Sequence, residues 1–228
     1  MLVRQAKERH GFLAKNSHVL IGVSGGVDST VLLLLLLEYN ERFSQNWEIH
    51  ACHVDAGFSQ TNTNFLEKFL RTSKVPYTIA KKNISTKIKE TKNRCYPCSR
   101  ERRKTLLEVA DQHNIFQIAL AHHTQDAVET LLLNMIYNGK LSTLTPRQSI
   151  IQGRFFFVRP LYYLSKEQIV NIATVLGLPK RRNICPYYKD SKRELVRNFL
   201  KKIKKENPDV YKNIFRAMFH LKKTYLPF

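Results

Sequence analysis

The chain has 228 residues, of which 38 are Lys or Arg and 18 are Asp or Glu, giving a formal net charge of +20. A hydrophobic fraction of 43% is that of a globular protein able to bury one sizeable core. Residues 1–15 are mixed and charged, the longest apolar run is 31–37, and only four cysteines occur, which argues against a secretory signal, a membrane span and a disulfide framework. The expectation is a cytoplasmic protein with no membrane partner, its thiols reduced or bound to metal.

Residues 2–15 read as a leading helix and 18–23 as a buried strand. The strand runs into the small polar turn Ser24-Gly25-Gly26-Val27-Asp28-Ser29-Thr30, after which a helix is predicted over 30–43. A Gly-rich turn at a helix N-terminus is a phosphate cradle. Its backbone N–H groups face the ligand, the helix dipole favours negative charge, and glycine allows close approach. Neither the Walker spacing nor G-x-G-x-x-G is present. A strand follows over 48–54, ending in His53-Val54-Asp55-Ala56-Gly57, then a helix over 61–73 and a short strand over 77–80.

Residues 81–94 read as a polar, lysine-rich loop leading to Cys95-Tyr96-Pro97-Cys98. Helix resumes near Ser99 and runs to about His113, followed by a strand over 117–121 and a helix over 125–137. Residues 138–154 read as an exposed loop, 155–158 as a strand, and 166–176 as a helix stopped by Gly177. Two further helices fall near 191–205 and 208–223. Alternating strands and helices predict an α/β fold with a doubly wound, mostly parallel sheet. The division expected is a domain over 1–180 and a basic helical tail over 181–228 packed on it. Ligands of such sheets sit beyond the strand C-termini, the edge where Ser24, Asp55, His122 and His123 fall.

The tail concentrates charge. The last 49 residues carry fifteen Lys or Arg against four Asp or Glu. That field suits a polyphosphate backbone and points to a nucleic-acid partner.

The cysteines leave several chemistries open. A C-x-x-C alone fits a redox couple, a zinc site or an iron–sulfur site, and Cys185 follows Cys98 by 87 residues. A redox couple needs no third thiol, and a structural zinc needs a fourth ligand that no second C-x-x-C or H-x-x-x-H supplies. Three thiolates hold three irons of a cubane and leave the fourth open. Cys52, inside an apolar strand, reads as a small buried hydrophobe.

The turn Ser-Gly-Gly-x-Asp-Ser resembles the pyrophosphate loop of the PP-loop ATP pyrophosphatases. Four more segments narrow the resemblance: residues 95–103 from Cys95 to Arg103, Ala119-Leu120-Ala121-His122-His123-Thr124-Gln125-Asp126, Leu133 to Lys140, and Val158-Arg159-Pro160-Leu161. With Cys185-Pro186 they are similar to the tRNA 2-thiocytidine synthase family.

The resemblance implies an ATP-dependent tRNA sulfurtransferase that adenylates the C2 oxygen of an anticodon-loop cytidine, position 32 in the family, and replaces it with sulfur. It implies ATP held by Ser24, Gly25, Gly26, Asp28, Ser29 and Thr30, Mg²⁺ at Asp28, and Asp55 and His122 lining the nucleotide pocket. Cys95, Cys98 and Cys185 would hold a [4Fe-4S] cluster. Asp126, His123, Asp55 and Arg102 form the expected catalytic set. Arg100, Arg103, Arg181, Arg182, Arg193, Arg197, Lys201 and Lys202 form the expected tRNA-binding set. The sulfur would come from a cysteine desulfurase-derived persulfide or inorganic sulfide, and a homodimer is compatible with the pattern.

Two departures stand out. The family often has Lys where this chain has Val27, and residues after Cys185 read Pro-Tyr-Tyr-Lys-Asp without the second cysteine of some members. The rival readings are a thiolase of another tRNA pyrimidine and a non-catalytic tRNA-binding protein with a structural metal. Lysidine synthases share the loop but need no cysteine triad.

Overall fold

The computed structural model describes residues 2–58, 64–91, 94–179, 185–188 and 191–225. Six strands form one sheet: β1 (His18–Gly22), β2 (Glu48–Asp55), β3 (Tyr77–Lys81), β4 (Gln117–Ala119), β5 (Arg147–Ile150) and β6 (Phe155–Val158), in the order β3-β2-β1-β4-β6-β5. Every neighbouring pair is parallel except β5 with β6, which is antiparallel at the edge.

Strand alternation sends Val19 and Ile21 of β1 to one face and Leu20 to the other, and all three are fully buried. The first face is covered by α1 (Leu2–His10), α2 (Val27–Arg42), α3 (Asn64–Thr72) and α7 (Lys166–Val175), through residues such as Ala6, Leu32, Leu36, Leu70 and Ile169. The second is covered by α4 (Ile84–Ile88) and α5 (Cys95–Gln112), whose Ile84, Ile88, Leu106 and Val109 meet Phe155 and Phe157 of β6. Burial on both faces is why the central strands are nearly continuous apolar runs.

A smaller core joins α6 (Thr124–Asn138) to α8 (Lys192–Glu206) and α9 (Val210–Ala217) through Val128, Val196, Leu200 and Val210. The basic tail is thus amphipathic: Val196 and Leu200 face inward, while Lys201 and Lys202 are exposed. Arg197 ties α8 to α6 with two bonds of 2.8 and 2.9 Å to Glu129, which is 3% exposed.

Several elements differ from expectation. The stretch read as a polar loop over 81–94 contains α4, a single turn or so of helix held by Ile84 and Ile88 at i,i+4 spacing. The stretch read as a loop over 138–154 contains β5, a polar edge strand without the apolar alternation that marks buried ones. Helix α5 starts at Cys95, four residues before the expected start near Ser99. Pro97 is tolerated there because first-turn N–H groups have no intrahelical partner. Helix α1 ends at His10, followed by Gly11 with φ +59°, the left-handed conformation that closes helices. Helix α9 ends at Ala217, and a 3₁₀ turn covers Lys223–Tyr225.

From β1 the chain winds to β2 and β3 on one side, then crosses for β4 and β6 on the other. The order reverses between β1 and β4, and in sheets of this kind the crevice for ligands lies beyond the C-terminal ends of the strands at such a reversal.

Candidate functional site

The loop after β1 is held from below by β2. Val23 N donates to Cys52 O at 2.8 Å, and His53 Nδ1 donates to Val23 O at 2.8 Å. His53 is 6% exposed, and burial lowers its pKa, so it braces the loop as the neutral ring. Inside the loop, Ser29 Oγ accepts from Ser24 N at 3.0 Å and donates to Gly26 O at 2.9 Å. Thr30 Oγ1 donates to Val27 O at 2.9 Å. Ser29 and Thr30 are both buried, so they shape the cradle while Ser24 forms its exposed surface. Gly25 has φ +79°, a conformation that favours glycine. Gly26 caps α2 with no side-chain bond to the helix N-terminus. At Gly22 a Cβ would lie 3.1 Å from Leu120 and 3.3 Å from Leu106, so glycine lets β1 and α5 close together beneath the crevice.

The N-termini of α6 and α7 are pinned to each other. Thr124 N donates to Leu164 O at 3.0 Å, and Thr124 Oγ1 to Tyr162 O at 3.1 Å. Buried Gln125 accepts from Lys166 N at 2.8 Å and donates to Glu167 Oε2 at 2.9 Å. From α7, the Lys166 ammonium reaches back to the Asp28 carboxylate on α2.

After β4 the chain places His122 and His123 before α6. Asp126 Oδ2 accepts from His123 N at 3.1 Å and lies 3.3 Å from His123 Nε2. Arg193 NH1 lies 3.4 Å from Asp126 Oδ1, and NH2 donates to Thr130 Oγ1 at 3.2 Å. Burial alone would raise the Asp126 pKa, but His123, His122 and Arg193 hold it below the ordinary value. His123 Nδ1 faces the first turn of α6 and completes no hydrogen bond among the described residues.

Arg159 is 1% exposed. Its Nε donates to His122 Nδ1 at 3.3 Å, one terminal nitrogen to Gln148 Oε1 at 2.9 Å, and the other to Thr145 O. Burial pushes the His122 pKa down to about 4, with Arg159 and Arg193 acting the same way and Asp126 against.

The three candidate ligand thiols share one field. Cys95 is raised by burial and by Cys185 and Cys98, while Arg193 lowers it. Cys98 is raised by burial and Cys185, while Arg102 lowers it by charge and by a hydrogen bond. Arg102 also lowers His53 by its charge, and its Nε is buried with no hydrogen-bond partner among the described residues. Among the described residues no three His, Cys, Asp or Glu side chains gather in a group that could hold a metal ion. A cubane asks for a different set, separate thiolates on separate irons, and Cys95, Cys98 and Cys185 are the thiols that would be candidates for it. Cys52 is buried and its thiol pushed up to about 12.

The remaining expected residues fall as follows. Asp55 lies at the end of β2, its Oδ1 accepting from Gly57 N at 3.0 Å. Arg100 is exposed on α5, and Arg103 Nε donates to Ser99 O at 3.2 Å. Arg197, expected on a tRNA phosphate, is instead engaged with Glu129, Glu194 and the Tyr188 hydroxyl. Arg181 and Arg182 lie outside the described residues. Tyr187 packs under Arg94, its ring 4.5 Å from the guanidinium carbon, and edge-on to Phe58. His53, Lys166, Gln125 and the role of Arg159 were missed. The signal available was polarity: His53 and Arg159 each interrupt an apolar run at a strand's C-terminal end.

Residues 2–204 match the model of the PP-loop domain family. A tRNA-cytidine(32) 2-sulfurtransferase from Polynucleobacter necessarius is 32% identical over 99% of this chain and 76% of its own length. One from Geotalea daltonii is 30% identical over 98% of this chain and 91% of its own. Among solved structures, the U34-tRNA thiolase NcsA from Methanococcus maripaludis, with its [4Fe-4S] cluster, superimposes with a TM-score of 0.77. It is 24% identical, covering 97% of this chain and 78% of that one.

Proposed function

The chain belongs to the PP-loop domain family, which it shares with the tRNA-cytidine(32) 2-sulfurtransferases, and from that premise we propose that it is an ATP-dependent tRNA 2-thiolase acting on cytidine 32. The observation that supports this reading is that Cys95, Cys98 and Cys185 act on one another, with Arg193 acting on Cys95 and Arg102 on Cys98, in a chain that also carries the phosphate loop, and that Arg193 is at the same time 3.4 Å from Asp126.

The C2 oxygen of a pyrimidine is a poor leaving group. Transfer of AMP from ATP to that oxygen, with pyrophosphate released, turns it into a good one. Ser24, Gly25, Gly26 and the N-terminus of α2 bind the phosphates and stabilise charge gathering on them. Asp28 would hold Mg²⁺, which would neutralise part of that charge. Because an arginine N–H can only donate, Arg159 makes His122 Nδ1 an acceptor and leaves the ring proton on Nε2, available to a ligand oxygen. Sulfur at the sulfide level, as HS⁻, then attacks C2, the C2–O bond breaks and AMP departs; a persulfide donor would first be cut to that level by a thiol, which is oxidised to the disulfide. Asp126, held as the anion, takes the proton lost as the C=S bond forms. A [4Fe-4S] cluster held by Cys95, Cys98 and Cys185 would supply an iron with an open position for the sulfur being transferred. Arg102 stands beside Cys98 to keep thiolate charge paired.

The tRNA lies across Arg100, Lys201 and Lys202, exposed residues whose phosphate contacts position the substrate while the splayed base enters the crevice. The proposed division of labour is chemistry in residues 1–180 and grip in the helical tail over 181–228. The setting is the cytoplasm, with a desulfurase-derived persulfide or sulfide as donor and a homodimer compatible with the exposed surfaces.

The test is thiolation in vitro. Protein reconstituted anaerobically with iron and sulfide is given ATP, sulfide and tRNA transcripts carrying C32 or U32, and digested nucleosides are read by mass spectrometry. Appearance of 2-thiocytidine with equimolar AMP supports the reading. ATP turnover with thiolation of uridine alone would move the acceptor, and no AMP release with any tRNA would remove the enzyme.

A further inference from the structure

The phosphate loop over residues 24–30 contains no lysine or arginine of its own, yet a cation stands against it. The Lys166 ammonium, 138 residues away in sequence, is paired with Asp28, the loop's single carboxylate. We propose that Lys166 is the cation that clamps the terminal phosphates of the nucleotide at this loop, released from Asp28 as the metal–nucleotide complex binds. The inference rests on the nucleotide reading of the site given above and adds a residue to it.

Helix stability does not account for a lysine here. Lys166 is the first residue of α7, where a cation meets the positive end of the helix dipole. The helix is already capped without it. Ser165 Oγ accepts from Gln168 N at 3.2 Å, Gln168 Oε1 accepts from Ser165 N at 2.8 Å, and Glu167 supplies first-turn negative charge.

The backbone at Lys166 is held by buried partners, while its side chain meets the part-exposed carboxylate of Asp28. Lys166 N is fixed to buried Gln125, and Leu164 O to Thr124 N at 3.0 Å. Its neighbour Glu167 is engaged by Gln125 at 2.9 Å and by Lys204 at 2.7 Å, so it does not compete for the Lys166 ammonium. The Lys166 side chain is 41% exposed and Asp28 32%. A fixed Cα with a flexible four-carbon stem lets the ammonium pivot from Asp28 to an anion seated on the adjoining N-terminus of α2.

The exchange is also electrostatically consistent. An unpaired Asp28 would repel a triphosphate from the cradle, and Lys166 cancels that charge before the ligand arrives. When a divalent cation takes Asp28, the ammonium loses its partner beside the phosphates and gains theirs. The ion pair is therefore a resting state whose two halves are used separately once the ligand is bound.

The experiment is calorimetric titration of the full chain with Mg²⁺-pyrophosphate, Mg²⁺-ATP and AMP, comparing Lys166→Met and Lys166→Arg with the unaltered protein. Lys166→Met should weaken pyrophosphate and ATP by roughly ten- to a hundredfold, the worth of one charge-assisted contact, and leave AMP unchanged. Lys166→Arg should keep most of the affinity. Equal binding of pyrophosphate and ATP by Lys166→Met and the unaltered chain would overturn the proposal. An unaltered chain that binds none of the three ligands would overturn the nucleotide reading itself, a pattern distinct from selective failure of the variant. Should the Met variant unfold, acetylation of Lys166 in the unaltered chain, followed by mass spectrometry, decides. Mg²⁺-pyrophosphate must slow it, and an unchanged rate would overturn the clamp.

Discussion

Arg159 Nε lies 3.3 Å from His122 Nδ1, and this contact sets which ring nitrogen carries the proton of the neutral imidazole. The guanidinium is itself located by Gln148 and Thr145, so the edge strand β5 and the turn before it fix the orientation of a residue at the far side of the crevice. Arg159→Met keeps the bulk and removes the donor and the charge. The His122 pKa should rise from about 4 toward its ordinary value, because one of the cations repelling its proton is gone. Proton-detected titration of the histidine ring would show this. A titration identical to that of the unaltered chain would mean that Arg159 only packs.

The same histidine predicts how stability depends on pH. His122 is depressed from an unfolded value near 6.5 to about 4, so between those limits the unfolded chain binds the proton and the folded chain does not. Stability is then fully present above pH 6.5 and is lost as pH falls toward 4. His53, also lowered by burial, acts in the same direction. The loss from His122 is on the order of 3 kcal/mol. Urea midpoints measured from pH 7.5 to 4.5 would follow this decline, and a flat profile would place both rings in water.

The thiols carry the sharpest compositional test. Anaerobically purified protein should hold about four irons and four sulfides per chain, with a visible band that bleaches on reduction. Cys95→Ala should lose the iron and thiolation together while tRNA affinity stays. Zinc alone, after reconstitution with iron and sulfide has failed, would replace sulfur transfer with a structural metal.

Much of the fold could be read from residue order because β1 and β6 are covered on both faces and show as apolar runs. What escaped were elements whose stability comes from partners distant in sequence. Helix α4 depends on Ile84 and Ile88 meeting α5 within a lysine-rich stretch, and β5 depends on backbone pairing with β6. The site divides the same way. A phosphate cradle is a local motif, visible from Ser24 to Thr30 alone. The brace from His53 to Val23 O and the contact of Lys166 with Asp28 exist only after the chain has folded, and sequence spacing carries no trace of them. Composition misled in one place: Arg197 belongs to a basic run and reads as a phosphate contact, but its partner is a buried glutamate 68 residues earlier.

That contrast separates two kinds of basic residue in one helix. Arg197→Ala would leave Glu129, whose side chain is 4% exposed, charged and unpaired against α8, at a cost of roughly 2–4 kcal/mol. The Lys201→Ala, Lys202→Ala double variant removes two exposed ammonium groups and should leave the melting temperature unchanged. It should instead weaken tRNA binding and make the slope of log affinity against log salt shallower by about two, one counterion for each phosphate that the variant no longer neutralises. Melting curves and filter binding at several salt concentrations measure both. If the lysine pair changes stability rather than salt dependence, the exposed face of α8 is structural and the grip on tRNA lies elsewhere. If Arg197→Ala melts normally and only binds tRNA less well, the tie to Glu129 contributes little, and Arg197 returns to the phosphate-binding set.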